Sequence, residues 1–558
     1  MTDSVFVKST VRSATTSPRP RSDAPTAILH LALFITLVIS LLTGFRIAAD
    51  SLDSTWTRAL TGILMQGSVT YWHAAAAYAL LAIAITYVAF LVRARLQARV
   101  AVDAARIQAI AAAERQTRWQ AINVILYWVV FIAIGVAGVT GTLMYLDTAL
   151  LPHDFVTTIH RVAAWSIVAY AVIHATAQLI MGGLRQVLKV LTPRLTYVAA
   201  GVSALVIGSA AAAAMLGVDR STLTTLKVAR VQTPPQIDGD GSDKAWDAAK
   251  VVDVHTVRGI NFPNGEVTVH VRAVHDGQNA YFLFEWADAT HSQKHLPLVK
   301  TADGWKILEH RYGMQDENDY YEDKFGVMLS SSSELAGGGS SHLGKQPIPG
   351  KPGSPNERGL HFTTDGSIVD VWHWKSARTG PLAQLDDNYF GPPMEPEADP
   401  KKRYTGGYTQ DPKTAGGFIQ NWEKLGHGLI KPLHLPKDAS QIADLQTADL
   451  DPTKTDTAQW SMALADTIPY TPGADRYQVG TVMPSVVIDK PFEGDRGDVH
   501  GVGVWRDGAW HLEVTRKLKT DSKFDQPIGD RIYMWVVAFD HAQTRHTQHL
   551  RPLAIELE

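Results

Sequence analysis

The sequence predicts a chain in two parts. An all-α transmembrane bundle, built as a four-helix core plus a fifth helix, is followed by an exported, mainly β, sandwich-like domain. Three observations lead there. Five long apolar runs crowd the first 218 residues, short alternating β-branched and aromatic runs fill the remainder, and the charge divides at the same point. Residues 1–218 hold 16 Lys and Arg against 8 Asp and Glu, whereas the rest holds 36 against 47, so the net charge of −3 averages two unlike surfaces.

The apolar runs are Thr26–Ala49, Ser68–Val92, Trp119–Tyr145, Phe155–Gly182 and Tyr197–Val218. Each supplies the roughly 20 residues needed to cross a bilayer core. The first is too long and wrongly flanked for a cleaved signal peptide. The tail before it, residues 1–25, is rich in Ser, Thr, Arg and Pro and is expected to be disordered. Lys8, Arg12, Arg19 and Arg21 precede the first span, six Arg lie between Arg93 and Arg118, and Arg185, Lys189 and Arg194 separate the fourth and fifth. The opposite connections hold only Arg46 and Arg58. Positive residues stay inside, so the N-terminus is expected in the cytoplasm of a bacterial cell, the bundle in its inner membrane, and everything after residue 218 in the periplasm. The segment Arg93–Arg118 reads as a cytoplasmic helical extension. The expected domains are therefore the tail 1–25, the four-helix core 26–183, a linker with the fifth helix 184–218, and the β domain 219–558.

No cysteine is present. Disulfides, thiolate-held zinc, iron–sulfur clusters and covalently attached haem are thereby excluded, and any metal rests on His, Met, Lys or carboxylates. Strong basicity is absent, which argues against nucleic acid as a partner. Four histidines fall inside apolar spans: His30, His73, His160 and His174. An ionisable group in a membrane span is a functional hypothesis by default. His160 and His174 are 14 residues apart, nearly four turns, so they share a helix face roughly 21 Å apart along the axis. The alternating direction of the spans pairs His73 with His160 toward the exterior and His30 with His174 toward the cytoplasm. Two imidazoles facing across a bundle hold a b-type haem without a covalent link; interhelical hydrogen bonding is the alternative for each ring alone. Gly44, Gly135, Gly138 and Gly141 admit either a flat macrocycle or a neighbouring backbone. Arg161 is placed either to neutralise a haem propionate or to anchor at the interface. His153, after Pro152, reads as an ordinary exposed loop residue.

This His arrangement over residues 26–183 resembles the bacterial cytochrome b561 family, including the dihaem cytochrome b subunits of formate dehydrogenases and nickel hydrogenases. There the first two helices give one His each and the fourth gives two, 14 residues apart in the formate dehydrogenase type. The resemblance implies two membrane haems b, exchange of electrons with membrane quinone, and relay between the two faces of the bilayer.

In the second half, Val267–Val274, Ala280–Trp286, Ile368–Trp374, Val502–Trp505, Ala509–Thr515 and Ile532–Phe539 read as strands. Asp276-Gly277 and Asp507-Gly508 mark hairpin turns. Ser376–Trp460, crowded with Pro and Gly, is expected to wrap the sandwich in short irregular pieces and build a binding face; the Gly337–Gly339 and Pro347–Pro355 stretches are similar. Asp238-Gly239-Asp240-Gly241 lacks calcium-loop spacing and reads as a turn. Asp386-Asp387 and the acidic run Asp316–Asp323 read as solvated loops rather than acid/base pairs. No zinc-hydrolase motif, nucleophile elbow or phosphate-binding loop appears.

Asp238-Gly239 followed by Ala245-Trp246, Phe284-Glu285-Trp286-Ala287-Asp288, Val371-Trp372-His373-Trp374-Lys375, and Gly503-Val504-Trp505 through Arg516 resemble the ethylbenzene dehydrogenase-related haem-binding domain, over most of residues 230–556. The resemblance implies a further haem b, held by Met and Lys in the molybdenum-enzyme subunits, and some relatives are fused to a membrane cytochrome b. This chain departs from that pair: it reads Gly339-Ser340-Ser341-His342-Leu343-Gly344 where the Met is expected, and His541, Arg545, His546 and His549 near the C-terminus. The departure points to ligation by His342 with His546, or to loss of that haem, with His361, His373 and Met328 in reserve.

The function expected is that of a membrane-bound b-type cytochrome passing electrons between membrane quinone and a periplasmic haem domain, soluble redox protein or oxidoreductase subunit. The alternatives are a transmembrane cytochrome b reductase carrying a haem-free periplasmic binding or sensory sandwich, and a complete quinone-linked reductase. No catalytic base is evident.

Overall fold

The computed structural model describes residues 22–49, 57–60, 63–65, 68–312, 316–334, 339–342, 360–363, 365–396, 404–529 and 531–558. Six α-helices come first: α1 Ala24–Ala49, α2 Val69–Arg93, α3 Ala104–Ala109, α4 Arg115–Tyr145, α5 His153–Val187 and α6 Val198–Ser221. All but α3 are long and apolar enough to cross a bilayer. α1 starts where Asp23 caps it, accepting from the Thr26 N–H at 2.9 Å while pairing with Arg99 at 2.8 Å. α5 kinks at Gly183, whose φ of 60° leaves the helical region.

The expected helical extension between Arg93 and Arg118 is broken. Arg95 takes a positive φ, a single 3-10 turn covers Gln97–Arg99, and α3 is a separate short helix capped by Asp103 through the Arg106 N–H. Ala and Arg favour helix, but Arg95 leaves the helical region and Asp103, bonding the Arg106 N–H, starts a new helix rather than continuing the old one.

The chain forms two compact units, and α1, α2, α4, α5 and α6 each have residues in both. The first comprises Met1–Val38, Tyr78–Gly135 and Ala164–Ala214; the second comprises Ile39–Ala77, Val136–Ala163 and Met215–Glu558.

Within the second unit the β domain is built on one 12-stranded sheet. Its central run is Val369–Lys375, Lys324–Ser330, Tyr533–Phe539, Leu553–Leu557, Thr225–Arg230, Val267–His275, Asn279–Ala287 and Ala509–Lys517. Strands far apart in this order touch through their side chains. Phe284 meets Phe325 at 4.9 Å, Trp286 meets Phe325 at 4.6 Å and Trp374 meets Trp510 at 4.7 Å, ring centroid to centroid. The sheet therefore curls over one aromatic core, as alternating apolar residues on both halves require. All six expected strands are present. The Asp507-Gly508 turn has φ of 52° and 79°, the left-handed pair that a two-residue hairpin needs.

Ser376–Trp460 is less irregular than its composition suggests. Its first part adds the strands Asp386–Phe390 and Tyr408–Gln410 to the main sheet. Its second part helps to build a separate core around Trp305, Ile430, Leu435, Trp460 and Met483.

The two acidic segments are not solvated. Asp386 and Asp387 are fully buried on a strand, and Asp316, Glu317, Glu322 and Asp323 are all at most 1% exposed. Lys375 and Arg496 both pair with Asp386, and Arg378 pairs with Glu322. Asp323 accepts from the Ser292 and His541 N–H groups and from the Trp510 indole. Partners distant in sequence satisfy these carboxylates, so charge density along the chain misleads.

Candidate functional site

The four membrane histidines meet in two pairs. In the first unit the His30 and His174 ring centroids lie 6.2 Å apart; in the second, those of His73 and His160 lie 6.3 Å apart.

The second-unit pair is framed by a repeated device. Thr43-Gly44 near the end of α1 faces His73 at the start of α2, and Thr140-Gly141 near the end of α4 faces His160 near the start of α5. Thr43 donates to the Ile39 carbonyl and lies 3.0 Å from His73 Nδ1; Thr140 donates to the Val136 carbonyl and lies 3.0 Å from His160 Nδ1. His73 Nδ1 also donates to the Ser40 carbonyl at 3.1 Å, and His160 donates to that of Ala137. These carbonyl contacts fix the tautomer, with the proton on Nδ1 and the lone pair on Nε2. The glycines keep the rings accessible: a Cβ on either Gly44 or Gly141 would stand 3.3 Å from the Cε1 of the facing imidazole. Gly135, by contrast, faces nothing within 4 Å among the described residues. In the first unit, His174 Nδ1 lies 3.1 Å from Asn123 Oδ1, and its ring stacks on Tyr170 at 5.4 Å.

Both pairs have the dimensions of a bis-imidazole iron site. With each nitrogen about 2 Å from a shared iron and each ring centroid about 1 Å beyond it, the centroids stand about 6 Å apart. A histidine that donates its other nitrogen to a carbonyl or amide is the arrangement that orients a metal ligand. The residues present therefore fit b-type haem. Thr43, Thr140 and Asn123 were missed by the sequence reading, although the twice-repeated Thr-Gly dipeptide ahead of a His-bearing span was a visible signal.

Two basic or titratable residues sit differently from expectation. Arg46 belongs to the last turn of α1 and is fully buried rather than lying in a connection. His153 is the first residue of α5, with its N–H on the Glu266 carboxylate and its Nε2 3.4 Å from Arg258 Nε. It is half-buried, because the β domain packs on this end of the helix. Asp147 likewise accepts from the Leu550 and Arg551 N–H groups at 2.8 and 3.2 Å, and burial pushes its carboxyl up to about 7.

In the β domain, one sheet face, opposite the aromatic core, collects several ligating side chains. Register places Gly326 between His373 and Val537, Lys324 between Lys375 and Phe539, and Met328 between Val371 and Trp535. His373 stacks on Phe539 at 5.5 Å, and its Nε2 is buried without a partner among the described residues. His546 also touches Phe539, at 4.9 Å, and donates from Nδ1 to the Thr547 carbonyl, leaving Nε2 with its lone pair. Lys324 lies 3.8 Å over Phe539, and burial holds its amine well below the usual range. His342 is on the strand Gly339–His342, but its side chain lies outside the described residues. His361 lies apart from this group, against Phe390 and Tyr408. His541 and His549 serve the fold. The first pairs with Asp540; the second accepts from the Val536 N–H at 2.9 Å and donates to the Arg551 carbonyl at 2.6 Å.

No curated protein matches the chain. Among solved structures it is similar to a carbohydrate-binding module of family 9 from Caldicellulosiruptor kristjanssonii in complex with cellotriose, with 9% identity, 60% of this chain and 94% of that chain covered, and a TM-score of 0.22. It is also similar to a putative carbohydrate-binding protein from Bacteroides uniformis, with 8% identity, coverage of 60% and 100%, and a TM-score of 0.24. At such scores the likeness carries nothing about ligand. The prokaryotic cytochrome b561 family model matches residues 21–193, and the ethylbenzene dehydrogenase model matches residues 243–551, more than half of the chain. The chain belongs to the ethylbenzene dehydrogenase family and carries, ahead of that β domain, a multi-pass cytochrome b561 electron-transfer domain, a type that implies haem b.

Proposed function

We propose that this protein is a membrane-bound b-type cytochrome that moves electrons between membrane quinone and a periplasmic redox site or soluble partner. The observation that supports it most is the pair of ring separations, 6.2 Å for His30 with His174 and 6.3 Å for His73 with His160. Haem b at each pair supplies one-electron redox chemistry. The protein's own contribution is ligation by the four imidazoles, tautomer control by Thr43, Ser40, Thr140 and Asn123, and room made by Gly44 and Gly141. Arg46, a fully buried cation in the same unit as His73 and His160, serves as counter-charge to a haem propionate. The side of the membrane follows from the basic residues around Arg93–Arg118 and Arg185–Arg194, which place those connections in the cytoplasm and the β domain in the periplasm.

A third haem b would be held at the sheet face around Phe539 by His546, with His342 as its second ligand. The free lone pair on His546 Nε2 and the nearby buried His373 and Lys324 support this placement. Haem stoichiometry on the purified full-length protein is the test. Three haems per chain are expected; two would leave a haem-free binding module outside the membrane, and none would sink the proposal. His160→Ala should abolish the outer haem signal while largely preserving the inner one, and an unchanged spectrum would refute the pairing. His342→Ala should remove only the third haem.

A further inference from the structure

Four segments far apart in sequence bring carboxylates to a single point beneath one edge of the β domain. Asp387 comes from the strand Asp386–Phe390, Asp411 follows the strand Tyr408–Gln410, Asp498 follows the short turn Asp495–Gly497, and Asp525 belongs to the loop after Ala509–Lys517. Asp387 is fully buried, Asp411 is 3% exposed, and the Asp525 side chain is 2% exposed. Asp370, also fully buried, stands beside them. Among the described residues the ion-pair partner here is Arg516, which binds Asp370 and stands 3.7 Å from Asp525 Oδ2. One guanidinium faces five carboxylates.

Hydrogen bonding does not make up the deficit. Asp387 Oδ2, both Asp411 oxygens, Asp498 Oδ1 and Asp525 Oδ1 are buried without a partner among the described residues. Ligand oxygens from Asp387, Asp411 and Asp525 all lie within 4.8 Å of one another. Oxygens bound to one calcium at 2.3–2.6 Å stand at most about 5 Å apart. Two other acidic groups in the β domain lack this signature. Asp323 beside Asp540 and His541 is saturated by three donors, and Glu513 beside Asp238 and Asp240 accepts from the Asp238 and Gly239 N–H groups and the Trp246 indole.

We propose that Asp387, Asp411 and Asp525, with Asp498 as a further ligand, form a calcium site. An all-oxygen donor set selects a hard cation over zinc or copper. Four carboxylates exceed the one or two that magnesium uses while retaining its waters, and they suit calcium's larger, flexible shell. Asp498 and Arg516 also line an open cleft with Asp495 and His500, so the cluster borders solvent on that side. The bound ion ties the sheet edge to two loops, so its effect is on the stability of the β domain rather than on the membrane haems.

The test uses the detergent-solubilised full-length protein, stripped with EGTA and titrated with calcium chloride. One calcium per chain is expected, with a rise in unfolding temperature of about 5 °C or more at a hundredfold excess over Kd. Asp411→Asn should abolish both the uptake and the rise, whereas Asp238→Asn, in a saturated acidic group, should keep both. Should Asp411→Asn fail to fold, direct calcium counting on the stripped and reloaded native protein still decides. No uptake, or an unfolding temperature that neither EGTA nor calcium moves, would overturn the site and leave carboxylates that share protons. Equal uptake and an equal rise with magnesium chloride would overturn the assignment to calcium.

Discussion

The membrane helices and the β domain treat buried polar groups in opposite ways. In the helices such groups are few, and those around His73 and His160 come in matched sets: Thr43, Gly44 and His73 on one hairpin, Thr140, Gly141 and His160 on the next. In the β domain they are many and form ion-pair networks such as Lys375–Asp386–Arg496 and His295–Glu322–Arg378. Lipid offers no substitute hydrogen bonds, so an idle histidine in a span is costly and a retained one has a task. A β domain of this size has enough backbone and side-chain donors to bury charge purely for architecture, and a buried histidine there says little by itself.

The largest effect should come from breaking a membrane pair. His73→Ala and His160→Ala should each eliminate the same haem spectral component, and the double variant should lose no more than either single one. His30→Ala and His174→Ala should eliminate the other component, as read by redox-titrated difference spectra. Loss of different components within one pair would show that its two imidazoles do not share a haem.

Next in size is the β core. Trp374→Ala, at a side chain 1% exposed, should cost about 3–5 kcal/mol in denaturant unfolding of the β domain and leave both membrane haem spectra unchanged.

A third effect is in pH. Burial pushes His549 down to about 4 from an ordinary 6.5, and protonating its Nε2 would set two donors face to face at the Val536 N–H. The folded state then binds fewer protons than the unfolded state between these values. The stabilisation is present above about 6.5 and is lost as pH falls toward 4, by about 3 kcal/mol. His549→Gln should flatten that slope, as measured by unfolding across pH 4–7.

The smallest expected effect returns to the membrane. Thr43→Val or Thr140→Val leaves the ligand in place but removes a contact to its Nδ1, and should weaken haem retention about tenfold, read by haem loss to apomyoglobin. An unchanged loss rate would mean that the Ser40 and Ala137 carbonyls alone hold the tautomer.

The legibility of the two regions follows the same physics. The helices were readable because each bilayer crossing demands a long apolar run, and a 3.6-residue period fixes which residues share a face; His160 and His174 required nothing more. In the β domain, apolar alternation located Val267–His275 and Asn279–Ala287, but the strand Lys324–Ser330 was hidden. It begins with a lysine and follows an acidic run that looked solvated. His549 and His546 are three residues apart and look alike in sequence, yet one has both nitrogens engaged and the other keeps a lone pair.

Sequence alone determined the number of spans, their alternating direction, the four histidines and the hairpins at Asp276-Gly277 and Asp507-Gly508, because these depend on length, period and turn chemistry within one stretch of chain. The tertiary structure alone decided which charges are paired. Asp386 finds Arg496 across 110 residues and Asp387 meets Asp411, Asp498 and Asp525, and no local pattern encodes partners brought together only when the sheet closes.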